Sequence, residues 1–193
     1  VSERVEQADV GRGGEVDRAR SPYTLGEKVR RALWMLVGQR LLWASFHNWY
    51  GVRRAILRVF GARVGVGVRV RASVLVEQPW NLSLGAFSSV GDRAILYCLG
   101  RVEIGARAAL SQGVHVCAGT HDYTRADMPL LRPGIVIGED AWVAADAFIG
   151  PGVRVGARCV VGARSVVVKD LEAGWVYAGN PARKLKVRGA EVG

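Results

Sequence analysis

From Ile137 to Tyr177 an aliphatic residue returns every six positions, as Ile137, Val143, Ile149, Val155, Val161 and Val167. A small or medium residue follows each of them four places later: Ala141, Ala147, Val153, Cys159, Ser165 and Leu171. A period of six fits neither a 3.6-residue helix nor plain strand alternation, but it fits a strand of about four residues joined to a turn of about two. Repeated at this length, the unit predicts a solenoid. The same series begins at Val64, Val70, Val76 and Leu82, slips by two at Leu84, Val90, Leu96 and Val102, and slips again at Ile104, Leu110 and Val116. Three such sides make a coil of about 18 residues, so the repeats predict about six coils of parallel strands stacked about 4.8 Å apart. The fold class expected is an all-β solenoid.

The pattern also divides the chain. Residues 1–22 have mixed charge and almost no apolar periodicity, which predicts a disordered tail. Residues 23–62 form a helical segment. In it Leu25, Val29, Leu33, Leu36 and Val37 recur at helical spacing behind Thr24 or Ser21 as a cap, and a second helix is expected from Phe46 to Phe60. Trp49, Val52, Ile56, Leu57 and Phe60 are read as the apolar positions of that second helix, with Arg53, Arg54 and Arg58 on other faces. The solenoid is expected over 63–178, interrupted by an excursion loop at 122–134 (DYTRADMPLLRPG) that breaks the six-fold rhythm. Residues 179–193 are a C-terminal cap and basic tail turning at Asn180-Pro181.

Charge adds a second layer. The 193 residues carry a formal net charge of +10, with two basic regions. Thr24 to Arg63 holds eight basic residues and one acidic, and Pro151 to Gly193 holds eight and three. Such a balance points to anionic partners. Nucleic acid is not expected, because no helix-turn-helix, zinc-finger or RNP-like pattern accompanies the charge. Two readings fit the helical segment: it packs on the solenoid as an end cap, or it lays a basic, Trp-bearing surface on anionic membrane. It does not span a bilayer, since Gln39 and Arg40 interrupt an apolar run already shorter than the roughly 20 residues required. Cys98, Cys117 and Cys159 form no CxxC, and an odd cysteine count without a secretory signal is expected of a cytoplasmic protein, membrane-peripheral if the second reading holds.

Only three histidines are candidates for chemistry. His47 sits among aromatics in the helical segment, and His115 closes a hexad, where it is expected to face outward at a turn. His121 stands at the root of the excursion loop, after Gly119 and between Thr120 and Asp122. Two histidines in the repeats are too few for the three-histidine zinc site known on other β-helices, so no metal is expected.

The hexads, the segment SQGVHVCAGTHDY (Ser111 to Tyr123), the restart PGIVIGEDAWVAADAFIGPGV and the ending VVGARSVVVKDLEAGWVYAGNPAR together resemble the hexapeptide-repeat acyltransferases. Within them the chain is most similar to exopolysaccharide O-acetyltransferases of the colanic acid type, over about Leu25 to Arg188. The resemblance implies a left-handed parallel β-helix, a homotrimer with each active site between adjacent helices, and acetyl transfer from acetyl-coenzyme A to a hydroxyl of a sugar or glycan. It implies His121 as the general base, which needs one ring nitrogen free and the other held by Asp122 or a backbone carbonyl. Trp142 matches a residue near the acyl end, Ala145 and Ala163 match positions along the pantetheine arm, and Lys169, Arg183 and Lys186 match positions near the nucleotide phosphates. A backbone N–H near Ala144 or Ala145 is the expected oxyanion donor. Tyr97, Cys98, Asp122 and Tyr123 are the acceptor-side candidates, Cys98 standing where related enzymes often carry asparagine. The alternatives are N-acetylation of an amino sugar nucleotide, transfer of a longer acyl group, or a non-catalytic trimeric scaffold.

Overall fold

The structure is a computed structural model and describes residues 21–189. The tail expected to be disordered lies outside the described residues, apart from Ser21 and Pro22. The first coil comprises β1 (Arg63–Val64), β2 (Arg69–Val70) and β3 (Leu75–Val76). The second comprises β4 (Leu82–Leu84), β5 (Ser89–Val90) and β6 (Ile95–Tyr97), and the third β7 (Val102–Ile104), β8 (Ala109–Leu110) and β9 (His115–Cys117). An antiparallel hairpin of β10 (Thr120–His121) and β11 (Leu130–Leu131) then leaves the solenoid. The fourth coil is β12 (Ile135–Ile137), β13 (Trp142–Val143) and β14 (Phe148–Ile149), and the fifth is β15 (Arg154–Val155), β16 (Val160–Val161) and β17 (Val166–Val167). The last, partial coil ends in β18 (Trp175–Ala178), on which β19 (Arg183–Val187) folds back antiparallel.

The strands stack into three sheets: β1-β4-β7-β12-β15, β2-β5-β8-β13-β16-β18-β19 and β3-β6-β9-β14-β17. All six aliphatic positions from Ile137 to Val167 are buried, as are the small or medium residues between them. Each fully buried Val, Leu or Ile contributes about 1.5–3 kcal/mol, so the array of inward side chains is the principal stabilising term. Early coils pair residues 20 apart, as Ile95 with His115, and later ones residues 18 apart, as Phe148 with Val166. The two-residue slips are these longer coils, whose extra residues lie between the third and first sheets, as in the 3-10 turn at Pro79–Asn81.

At the corner after the first sheet each coil passes so close to the next that only glycine fits. A Cβ on Gly85, Gly105, Gly138 or Gly156 would lie 2.4–2.5 Å from a backbone nitrogen of the following coil. Gly105→Ala is therefore expected to cost about 1–3 kcal/mol, read as a lowered denaturation midpoint. An unchanged midpoint would show that the coils can separate locally.

The helical segment covers the N-terminal end, and it does so with the opposite face from the one its apolar spacing suggests. α1 (Leu25–Leu33) starts at Thr24 in a full capping box with Glu27, passes through a π turn at Trp34–Gly38 and continues as α2 (Gln39–Ala44). The π turn adds a residue to the helical register, so that Gln39 and Leu42 face the solenoid as Trp34 does. Leu25, Val29, Leu33, Leu36 and Val37 point outward. α3 (Tyr50–Val59) starts four residues later than expected and buries Arg53 and Leu57, while Trp49 and Val52 are exposed.

The reason lies in the first coil, which has no preceding coil to satisfy its outward carbonyls. Side chains of the helices replace the missing strand. Arg58 donates to Val64 O, Arg54 to Val68 O and Arg53 to Val70 O. Gln39 and Trp43 donate to Val74 O, and Trp34 to Val76 O. The expected end-cap packing is thus a row of hydrogen bonds, and it uses polar faces.

His115 faces outward as expected, but from β9 rather than a turn, half-buried and edge-on to Phe148 at 5.3 Å. Burial pushes its imidazole below the ordinary histidine value. A lowered folded pKa means the unfolded chain binds the proton first, so the contribution of this site is full above about 6.5 and is lost as pH falls below it. The fall in stability between pH 7 and pH 5 should accordingly be smaller in His115→Phe than in the unsubstituted protein, as thermal melts at the two pH values would show.

Candidate active site

The hairpin β10–β11 carries His121 at the end of its first strand. Thr120 pairs with Leu131 and His121 with Leu130, which anchors the loop at the edge between the third and first sheets. His121 is exposed, and its Nδ1 lies 2.7 Å from the carbonyl oxygen of Met128. A carbonyl can only accept, so Nδ1 carries a proton, and in the neutral ring Nε2 is the acceptor. Asp122 does not orient the ring: its Oδ1 accepts from the N–H and hydroxyl of Thr124, and its own N–H donates to Pro129 O. Nothing in the sequence marked Met128, because a backbone carbonyl carries no residue signature.

The acceptor-side candidates separate into two groups. Tyr97 is half-buried beside the loop root, and a Cβ on Gly119 would lie 3.0 Å from its ring. Burial raises its phenol above the usual range. Tyr123 stands 84% exposed on the loop, next to Asp122. Cys98 does not belong with them. It is fully buried, its Sγ donates to Gln78 O and accepts from Gln78 N–H, and burial pushes its thiol up to about 12. It presents no surface to a substrate and no thiolate for catalysis.

A further cluster, not foreseen from the sequence, borders this region. Tyr23 lies between the guanidinium groups of Arg31 and Arg132, at 4.1 and 4.9 Å from its ring centre. Arg31 pairs with Glu77 and Arg132 with Glu27, tying the start of α1 to the end of the excursion. The residues involved are distant in sequence, and no local pattern links them.

Trp142 projects from β13 on the second sheet, 47% exposed, its Nε1 donating to Ser111 Oγ at 3.0 Å. Cross-strand pairing continues from Trp142 to Val160, from Val160 to Val176 and from Val176 to Lys186. These four residues form one outward row about 14 Å long at the usual strand spacing. Ala145 and Ala163 occupy the turns that follow β13 and β16, stacked through the bond from Arg164 N–H to Ala145 O. Lys169 and Arg183 are brought together around a hollow of about 250 Å³ at the C-terminal end, where Lys184 pairs with Glu172. The Ala144 N–H already donates to Val161 O, which removes it as an oxyanion donor, whereas the Ala145 N–H has no described acceptor. Among the described residues no group of three or more His, Cys, Asp or Glu side chains converges as a metal site.

The sequence signature of the bacterial transferase hexapeptide (six repeats) matches residues 134–169. WcaF of Escherichia coli (strain K12), named for acetyl transfer in colanic acid biosynthesis, is 41% identical over 163 residues, 84% of this chain and 90% of WcaF. A maltose O-acetyltransferase structure from Clostridium difficile 630 superposes with a TM-score of 0.75 at 25% identity, covering 83% of this chain and 87% of that one. A hexapeptide-repeat acetyltransferase from Vibrio cholerae O1 biovar eltor, solved with acetyl coenzyme A, superposes with a TM-score of 0.78 at 22% identity, covering 86% and 91%. By its repeats, its coiled architecture and its similarity to WcaF along most of both chains, the protein belongs to the hexapeptide-repeat acetyltransferases.

Proposed function

We propose that the protein moves an acetyl group from acetyl-coenzyme A to a hydroxyl of a sugar or glycan intermediate, with His121 as general base. The observation that carries this reading is the Nδ1 contact with Met128 O, which leaves Nε2 as an acceptor at an exposed position. A sugar hydroxyl is a poor nucleophile until its proton is removed as it attacks. Nε2 takes that proton while the hydroxyl oxygen bonds to the thioester carbon, and the Ala145 N–H is the candidate donor to the resulting oxyanion. As the carbon–sulfur bond breaks, the imidazolium returns the proton to the departing sulfur. Atoms and charge balance without a metal.

The donor fits the second sheet. Acetyl-coenzyme A supplies an activated acyl group on a long, thin arm that ends in phosphates. The row from Trp142 to Lys186 is extended and mostly apolar, small residues Ala145 and Ala163 flank it, and Lys169, Arg183 and Lys186 supply positive charge at the far end. The acetyl-coenzyme A held by the Vibrio cholerae neighbour and the O-acetyl transfer in the Clostridium difficile protein's name support the same choice.

Topology supports a trimer. The His121 hairpin leaves the edge between the third and first sheets, whereas Trp142 projects from the second sheet, on the opposite side of the solenoid. Base and donor face meet when one copy sets its second sheet against the loop of another, and three copies about an axis complete three sites. Tyr97, Asp122 and Tyr123 then line the acceptor side. The test is thiol release from acetyl-coenzyme A with a panel of neutral and acidic sugars and amino sugars, the product identified by mass spectrometry. An acetyl ester is expected. Thiol release that no acceptor stimulates would reject acetyl transfer to sugars, and an amide product would reassign the acceptor group.

A further inference from the structure

We propose that the outward face of the helix from Leu25 to Ala44 seats the protein on the surface of an anionic lipid bilayer. The inference is independent of the catalytic reading. Leu25, Val29, Leu33, Leu36 and Leu41 are each between 52% and 78% exposed, and α1 buries no residue at all. Successive turns of a helix place residues three or four apart on one side, or five across the π turn, so these side chains form a continuous apolar stripe. Three of the polar residues that would ordinarily face water bind other elements instead. Glu27 binds Arg132, Arg31 binds Glu77, and Gln39 binds the backbone of Val74 and Val76.

The occupant of such a stripe is constrained by charge. Beside it stand Lys28 and Arg40, both exposed and without an ion-pair or hydrogen-bond partner among the described residues, while the only acidic side chain of the helix is engaged by Arg132. A second copy would bring these cations against their own equivalents in a chain of net charge +10. Residues 1–20 supply four valines and two alanines as their only apolar residues, among nine charged ones, too little to cover a stripe of leucines. An anionic bilayer supplies both the apolar layer and the counter-charge. Phe46 and Trp49, both exposed and with rings 6.3 Å apart, follow the helix and are of the aromatic kind favoured at a membrane interface. No described helix is long and apolar enough to cross a membrane, so the contact lies along the surface.

Co-sedimentation of the full chain with vesicles tests this, using phosphatidylcholine alone and phosphatidylcholine mixed with phosphatidylglycerol, at low and high salt. Binding is expected to the mixed vesicles at low salt and to weaken with salt. Lys28→Gln/Arg40→Gln should bind roughly 30-fold more weakly, taking each lost cation at the usual surface-charge value, and Leu33→Glu/Leu36→Glu should not bind. Light scattering should give all three proteins the same mass. The proposal is overturned if the unsubstituted protein fails to bind mixed vesicles at low salt, if it binds neutral vesicles equally, or if the glutamate variant still binds. A lower mass for the glutamate variant also overturns it, because the stripe would then be an interface between copies. Thiol release with a soluble acceptor, read in parallel, is expected to be equal in all three proteins, and so separates this failure from a failure of the catalytic reading.

Discussion

His121→Ala is expected to lower the turnover of acetyl transfer by roughly 100- to 10,000-fold, the usual worth of a general base, while leaving KM for the acyl donor nearly unchanged. The side chain is exposed, and its one hydrogen bond among the described residues is to Met128 O, so its removal strands no buried group there. The split between kcat and KM is what distinguishes a base from a structural residue. His121→Asn supplies a further control, because its amide can still donate to the Met128 carbonyl but cannot accept a proton at neutral pH. It should keep the loop in place and remain as inactive as the alanine variant. Turnover that survives either substitution undiminished would remove His121 from the mechanism.

Arg53→Met should be the most damaging single change to stability outside the solenoid core, with an expected loss of about 3–5 kcal/mol. The arginine is fully buried, and burial lowers its guanidinium below the usual range. Its donors reach Val70 O, Ser45 Oγ, Phe46 O and His47 O at 2.6–2.9 Å. Methionine fills similar volume but takes the donor away from the buried Val70 carbonyl and Ser45 hydroxyl and from the part-buried carbonyls of Phe46 and His47. Lysine keeps the charge without the planar fork, and so recovers only part of the loss. Chemical denaturation of the three proteins under matched conditions measures the order. A methionine variant within about 1 kcal/mol of the parent would mean that water replaces the guanidinium at no great cost.

The solenoid was legible because its period is a property of residue type: every Ile137-like position must be apolar, and the spacing alone states the coil. The helices were legible in place but not in orientation. Periodicity identifies an apolar face and a polar face, and burial of the apolar one is the ordinary outcome. Here the neighbour is the open edge of a sheet, which demands donors, so Trp34, Gln39, Arg53, Arg54 and Arg58 turn inward. Cys98 could have been read correctly from strand alternation, since Leu96 faces in, Tyr97 partly out and Cys98 in again. The resemblance to enzymes with asparagine there pointed the other way. Met128 and the Tyr23 cluster were beyond reach, the first because the backbone does the work and the second because its members meet only through the fold.

The row of side chains over the first coil also limits growth. A parallel solenoid end with free carbonyls is a template onto which another chain can add, coil upon coil, as a fibre does. In this protein one end is closed by guanidinium, indole and amide donors, and at the other the second sheet ends in a strand that runs backwards. A further parallel strand finds no free carbonyl row on the helix-covered end and no parallel partner on the end of the second sheet. The number of coils is therefore fixed by punctuation at the ends rather than by the repeat, and a chain lacking residues before Ala62 would be an unterminated polymer seed.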